Sequence, residues 1–115
     1  MTIAIKRAYD EPADDDGLRV LVDRLWPRGV RKADAAIDEW AKDATPSTEL
    51  RQWFHDNGDF EAFSERYVDE LEHGEGGAAL AVQLAGHDRV TFVTAVHDPE
   101  SSHATVLRDW IEARG

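Results

Sequence analysis

An α/β fold with a small, substantially parallel sheet follows from three observations on this 115-residue chain. Leu18–Val22 and Val90–Val96 are dense apolar runs rich in valine, the pattern of strands buried on both faces. Between them lies a long stretch with mostly helical spacing. A helical crossover of that kind makes the two strands parallel neighbours or near neighbours in one sheet. The length suits a single domain over residues 1–115 and buries a real core without staples. Three or four strands and four or five helices are expected.

The elements follow in chain order. Ile3 to Tyr9 alternates well enough for a first strand. Asp10 to Gly17 is a loop holding five acids, Pro12 and the closing Gly17. Asp14-Asp15-Asp16 lacks the spaced oxygens and terminal glutamate of an EF-hand, so it reads as a solvated turn. The central strand ends on Asp23 and Arg24, and Pro27 and Gly29 then break regular structure. Ala33, Ala36, Ile37, Trp40 and Ala41 fall at helical spacing, predicting an amphipathic helix over about 33–43. Thr45-Pro46-Ser47 stops it and opens a second helix, with Pro46 at its first position and Thr45 or Ser47 as cap. Leu50, Trp53 and Phe54 form that helix's apolar face.

Asp59 caps a third helix carrying the stripe Phe60, Phe63, Tyr67 and Leu71. Gly74 to Gly77 is a short joint, and a weaker helix covers 78–85, stopped by Gly86. The β-branched strand Val90–Val96 ends at His97-Asp98-Pro99. Ser101 or Ser102 caps a last helix whose inward face is Ala104, Leu107, Trp110 and Ile111.

Composition excludes several classes. There is no cysteine, hence no disulfide, thiol nucleophile or cysteine metal site. No signal-like start and no apolar stretch approaching eighteen residues is present, so a cytoplasmic protein is expected, without a membrane partner. The net charge of −11 opposes non-specific nucleic-acid binding by the molecule as a whole. No dinucleotide fingerprint and no P-loop occurs, so no cofactor is expected.

The local exception is the stretch from Arg19 to Lys32. Five of the thirteen basic residues lie there: Arg19, Arg24, Arg28, Arg31 and Lys32. In open parallel sheets, ligands collect outside the carboxyl ends of the strands. Two strands here end near an aspartate, Asp23 and Asp98. One rim should therefore gather Asp23, Arg24, Arg28, His97, Asp98 and the start of the last helix. Arg24, Arg28 and Arg51 offer paired donors for phosphate or carboxylate. Ser47 stands at a helix start, where backbone N–H groups favour anions. Trp26, in a loop beside Pro27, is placed to line a pocket.

The bland alternative is that Asp23 pairs with one of these arginines to lock the scaffold. His103 lies in the first turn of the last helix, where the dipole favours the neutral ring. With Asp98 orienting it, His103 would serve as general base or acid; the competing role is capping. A serine triad is weaker, because capping explains Ser47, Ser101 and Ser102 and no nucleophile elbow is present. A metal site from His97, Asp98 and His103 with Asp23 is disfavoured, since adjacent strand residues diverge. A nucleic-acid surface from Arg28, Arg31, Lys32 and Trp26 meets the acids Asp34, Asp38 and Glu39 directly after it.

The block Arg19-Val-Leu-Val-Asp-Arg-Leu-Trp-Pro-Arg-Gly29 resembles the signature of the YeaO-like proteins of the domain of unknown function 488 (DUF488) family. The resemblance continues through Asp38-Glu-Trp40, Ala44 to Phe54, Phe63 to Leu71 and Ser102-His-Ala104. Relatives tend to carry Asn where this chain has Ser102, and a basic or small residue at His97. The resemblance implies a mainly bacterial, small α/β protein of uncharacterised function, and it supplies no catalytic assignment. The residues themselves suggest an uncharacterised binder of a small anionic ligand, with hydrolase- or transferase-type activity as an extension. A nucleic-acid-associated module or a non-catalytic interaction domain is the alternative.

Overall fold

The computed structural model describes residues 2–114. Strands β1 (Thr2–Arg7), β2 (Leu18–Leu21), β3 (Glu39–Trp40) and β4 (Arg89–Thr94) form one sheet in the order β1-β4-β2-β3, with every pair parallel. Five helices accompany it: α1 (Lys32–Ala35), α2 (Thr48–Asn57), α3 (Phe60–His73), α4 (Gly76–Leu84) and α5 (His103–Arg114). None is long and apolar enough to cross a membrane.

The two valine-rich runs are the inner strands. Val20 stands opposite Phe92 and Leu21 opposite Val93, and all four are buried. β-branched and aromatic side chains pack well on a pleated surface covered on both sides. Tyr67, Leu71, Leu80, Leu84, Leu107 and Trp110 from α3, α4 and α5 complete the core. Asp59 caps α3 by accepting the Ala62 N–H at 3.1 Å. α4 begins at Gly76, where any Cβ would meet the Asp43 carbonyl oxygen at 1.8 Å. The glycines at 74–77 are therefore partly packing residues, not only a joint.

Residues 33–43 do not form the predicted helix. The chain coils only from Lys32 to Ala35, turns at Ala36 with φ 51°, pairs as β3 and then makes a 3₁₀ turn at Lys42–Ala44. Helical spacing is overridden by partners from β2. The Arg19 guanidinium donates to the carbonyls of Ala35 at 2.9 Å and Ala36 at 3.1 Å, consuming the acceptors a longer helix would need. Asp38 accepts the Arg19 N–H, and the Trp40 indole donates to the Asp23 carbonyl at 2.7 Å.

Asp16 likewise departs from a solvated turn. It is buried, pairs with Arg19 at 2.6 Å and with Lys6 at 3.1 Å, and also accepts the Ala13 N–H. Burial raises its carboxyl pKa, yet the bonds from Ala13, Lys6 and Arg19 outweigh this and hold it below the ordinary aspartate value. Arg19, foremost in the basic stretch, is thus spent on the scaffold.

Candidate functional site

All four strands run the same way, so their carboxyl ends emerge at one edge of the sheet. There the chain leaves β1 at Tyr9, β2 at Asp23 and β4 at Ala95 to Asp98. Gly29 lets the 24–31 loop reverse, with φ 79°. The Tyr9 hydroxyl donates to the Arg28 carbonyl, and the Trp26 indole to that of Val30 at 2.6 Å. Trp26 also meets Trp40 edge-on, with centroids 5.5 Å apart. These contacts hold the loop as one wall of a hollow of about 550 Å³.

Seven of the eight side chains singled out as binding or catalytic candidates line this hollow: Asp23, Arg24, Trp26, Arg28, Arg51, Asp98 and His103. Ser47 does not. It is the N-cap of α2, accepting the Leu50 N–H at 3.1 Å, and its own N–H and hydroxyl both donate to Glu70. Pro46 consequently precedes the cap instead of opening the helix. His97 is exposed and lies outside the lining, and so do Arg31 and Lys32.

The floor is a carboxylate and an imidazole. His103 Nε2 is 3.0 Å from Asp23 Oδ1 and 2.9 Å from the Val22 carbonyl oxygen. Both partners accept, so Nε2 carries the hydrogen. Nδ1, the other ring nitrogen, has no hydrogen-bond partner among the described residues and is the acceptor of the neutral ring. Asp23 also accepts the Thr94 hydroxyl and the Ala95 N–H, each at 2.7 Å. Burial raises the Asp23 pKa, but the bonds from His103, Ala95 and Thr94 prevail and hold it below the ordinary aspartate range.

The aspartate holding His103 is therefore Asp23, not Asp98. Asp98 is exposed, lines the same hollow and makes no hydrogen bond to the ring. The Asp23–arginine lock is also absent: among the described residues, Arg24, Arg28 and Arg51 form no ion pair. Their side chains are exposed at the rim.

The Ser102 and Thr45 hydroxyls are engaged in structure, whereas that of Ser101, which also lines the hollow, has no hydrogen-bond partner among the described residues. Ser102 donates to the Pro99 carbonyl at 2.6 Å and accepts the Ala104 N–H, and Thr45 donates to the Lys42 carbonyl at 2.7 Å. Among the described residues no group of three or more His, Asp or Glu side chains converges as a metal site. Chemically, the arrangement offers a hydrogen-bond acceptor or proton acceptor at Nδ1, steadied by a half-buried carboxylate, beneath a rim of guanidinium groups.

The apolar walls, Tyr9, Leu25, Pro46, Phe54, Phe63 and Val96, were not among the binding candidates read from the sequence. Phe54 and Phe63 do carry a signal, since each extends a helical apolar stripe. Nothing local marks Thr94 and Ala95 as partners of Asp23.

A family model described as "Inactive DUF488-N3 subclade" matches residues 2–114. The Escherichia coli K12 "Uncharacterized protein YeaO" is 45% identical, covering 98% of this chain and 99% of its own. The Mycobacterium tuberculosis H37Rv "Uncharacterized protein Rv3073c" and the Mycobacterium bovis "Uncharacterized protein Mb3100c" are each 42% identical over 97% of this chain and 95% of theirs. No solved structure matches.

Proposed function

We propose, from the premise that this chain belongs to the DUF488 family, that the hollow at the carboxyl edge of its sheet binds a small ligand bearing a phosphate or carboxylate. One observation carries the reading. In a chain of net charge −11, Arg24, Arg28 and Arg51 line a single hollow and none is neutralised by an ion pair among the described residues. Guanidinium groups present paired donors that match the oxygens of either anion. Acids outnumber bases 24 to 13 in the chain, yet three guanidinium groups line this one cavity against two carboxylates, Asp23 and Asp98.

Binding without turnover is the form we favour. Ser102 and Thr45 have their hydroxyl hydrogens engaged by backbone carbonyls, and the chain has no cysteine. Ser101 also lines the hollow, but among the described residues the His103 ring bonds Val22 and Asp23 and not a serine, so no hydroxyl is paired with a base. The description "inactive" attached to the matching subclade agrees with this. A second reading, hydrolysis or group transfer with His103 as acid or base, draws on the His103–Asp23 pair in the lining of the hollow. A nucleic-acid surface is disfavoured by the net negative charge and by the apolar walls.

The test is a titration with pyrophosphate and citrate at low salt, followed by backbone amide chemical shifts. Saturable shifts at residues 23–28, 51 and 101–103, weakened in Arg28→Ala and in Arg51→Ala, are the expected result. Shifts scattered over unrelated basic residues, or unchanged affinity in both variants, would overturn the proposal. Turnover of chromogenic phosphate or carboxylate esters that vanishes in His103→Ala would establish the second reading.

A further inference from the structure

Deepening the anion-binding reading, on which it rests, we infer that the ligand is amphiphilic: an apolar, ring-sized body enters the hollow while its anionic group stays at the rim on the arginines. Four observations support this orientation. The walls are carbon, formed by buried Pro27, Pro46 and Phe63 with half-buried Phe54, whose ring stacks on Phe63 with centroids 4.5 Å apart. Tyr9, Leu25 and Val82 are the exposed large hydrophobic residues among those described, and two of them, Tyr9 and Leu25, line this hollow. Exposed apolar surface gathered at a cavity marks a contact site more often than a scattered residue does.

The volume, about 550 Å³, is that of a pocket for a small organic molecule, and a bare oxyanion would leave most of it wet. Lastly, the floor carries the Asp23 carboxylate, held in place by Thr94 and Ala95. An anion inserted head-first would meet like charge in poorly solvated surroundings. At the rim, water screens the exposed Asp98 and the guanidinium groups are in reach.

Calorimetric titration with phenyl phosphate, inorganic phosphate and phenol separates the parts. Phenyl phosphate should bind at least about tenfold more tightly than either fragment, the scale set by burying an aromatic ring. Leu25→Ser changes an exposed side chain and should weaken phenyl phosphate several-fold while leaving inorganic phosphate unchanged. Equal affinity for inorganic and phenyl phosphate would overturn the amphiphile and leave the anion site standing. Equal affinity for phenol and phenyl phosphate would overturn the anion site itself. Binding of none of the three at millimolar concentration would remove both.

Discussion

Asp23 Oδ1 lies 3.0 Å from His103 Nε2, joining the end of β2 to the first turn of α5 across eighty positions of sequence. The carboxylate also accepts from Thr94 and Ala95 at the end of β4. Three segments thus close on one side chain. Asp23→Asn preserves shape but turns one acceptor oxygen into a donor facing groups that themselves donate. A loss of about 1–3 kcal/mol is expected, the cost of leaving a partly buried polar group unsatisfied. Urea denaturation measures it. The His103 ring nitrogens should respond as well: the ¹⁵N signature of the Nε2–H tautomer should weaken in the variant. An unchanged signature would mean that the Val22 carbonyl alone fixes the ring.

Acid should destabilise the protein through Asp16 and Asp23. Both carboxyls sit below their ordinary value in the folded chain, so the unfolded chain binds more protons as pH falls past about 4. Their contribution is complete above the unfolded pKa and is lost as pH drops through the folded values. Stability measured by denaturant should therefore rise with pH across that acidic window. In Asp23→Asn the rise should be shallower. An identical slope in parent and variant would show that other carboxylates account for the acid sensitivity.

The arginines divide into scaffold and rim, and stability separates them. Arg19 is buried against Asp16 and donates to two carbonyls besides. Arg19→Met strands part of that network, and breaking a buried pair costs about 3 kcal/mol or more. Arg28 has no ion-pair partner among the described residues, and Arg28→Ala should stay within about 0.5 kcal/mol of the parent. Thermal melts of the two variants check both statements. A large loss in Arg28→Ala would mean that this side chain serves the scaffold and would weaken the case for a free rim.

Legibility of the sequence tracked how local each cause was. β2 and β4 were readable because an apolar β-branched run needs little context, and their parallel pairing followed from the helical stretch between them. That pairing in turn predicted which edge would gather Asp23, Asp98 and His103. The partner of His103 was not readable. Asp98 is near in sequence, whereas Asp23 is brought close by the lateral order of the strands. The region 33–43 misled for a related reason. Its alanines and Trp40 have helical spacing, but Arg19, Asp38 and Asp23 supply partners that no local pattern encodes.

Gly17 offers the sharpest test of how the acidic loop enters β2. Its φ of 68° lies in a region that side chains rarely adopt. A Cβ there would also approach the Arg89 carbonyl oxygen to 2.2 Å, at the start of β4. Two penalties therefore coincide, one in the backbone and one across the strand pair. Relief would require β2 and β4 to move apart next to the 2.7 Å bond from Thr91 to the Asp16 carbonyl. Gly17→Ala should cost more than the roughly 1 kcal/mol at which such a substitution can stabilise a tolerant site, with the opposite sign. A melting temperature lowered by several degrees is expected, with amide protection lost first at Leu18 and Val90. A neutral result would mean that the loop adopts a different path in solution, and that Asp16 need not be buried beside Arg19.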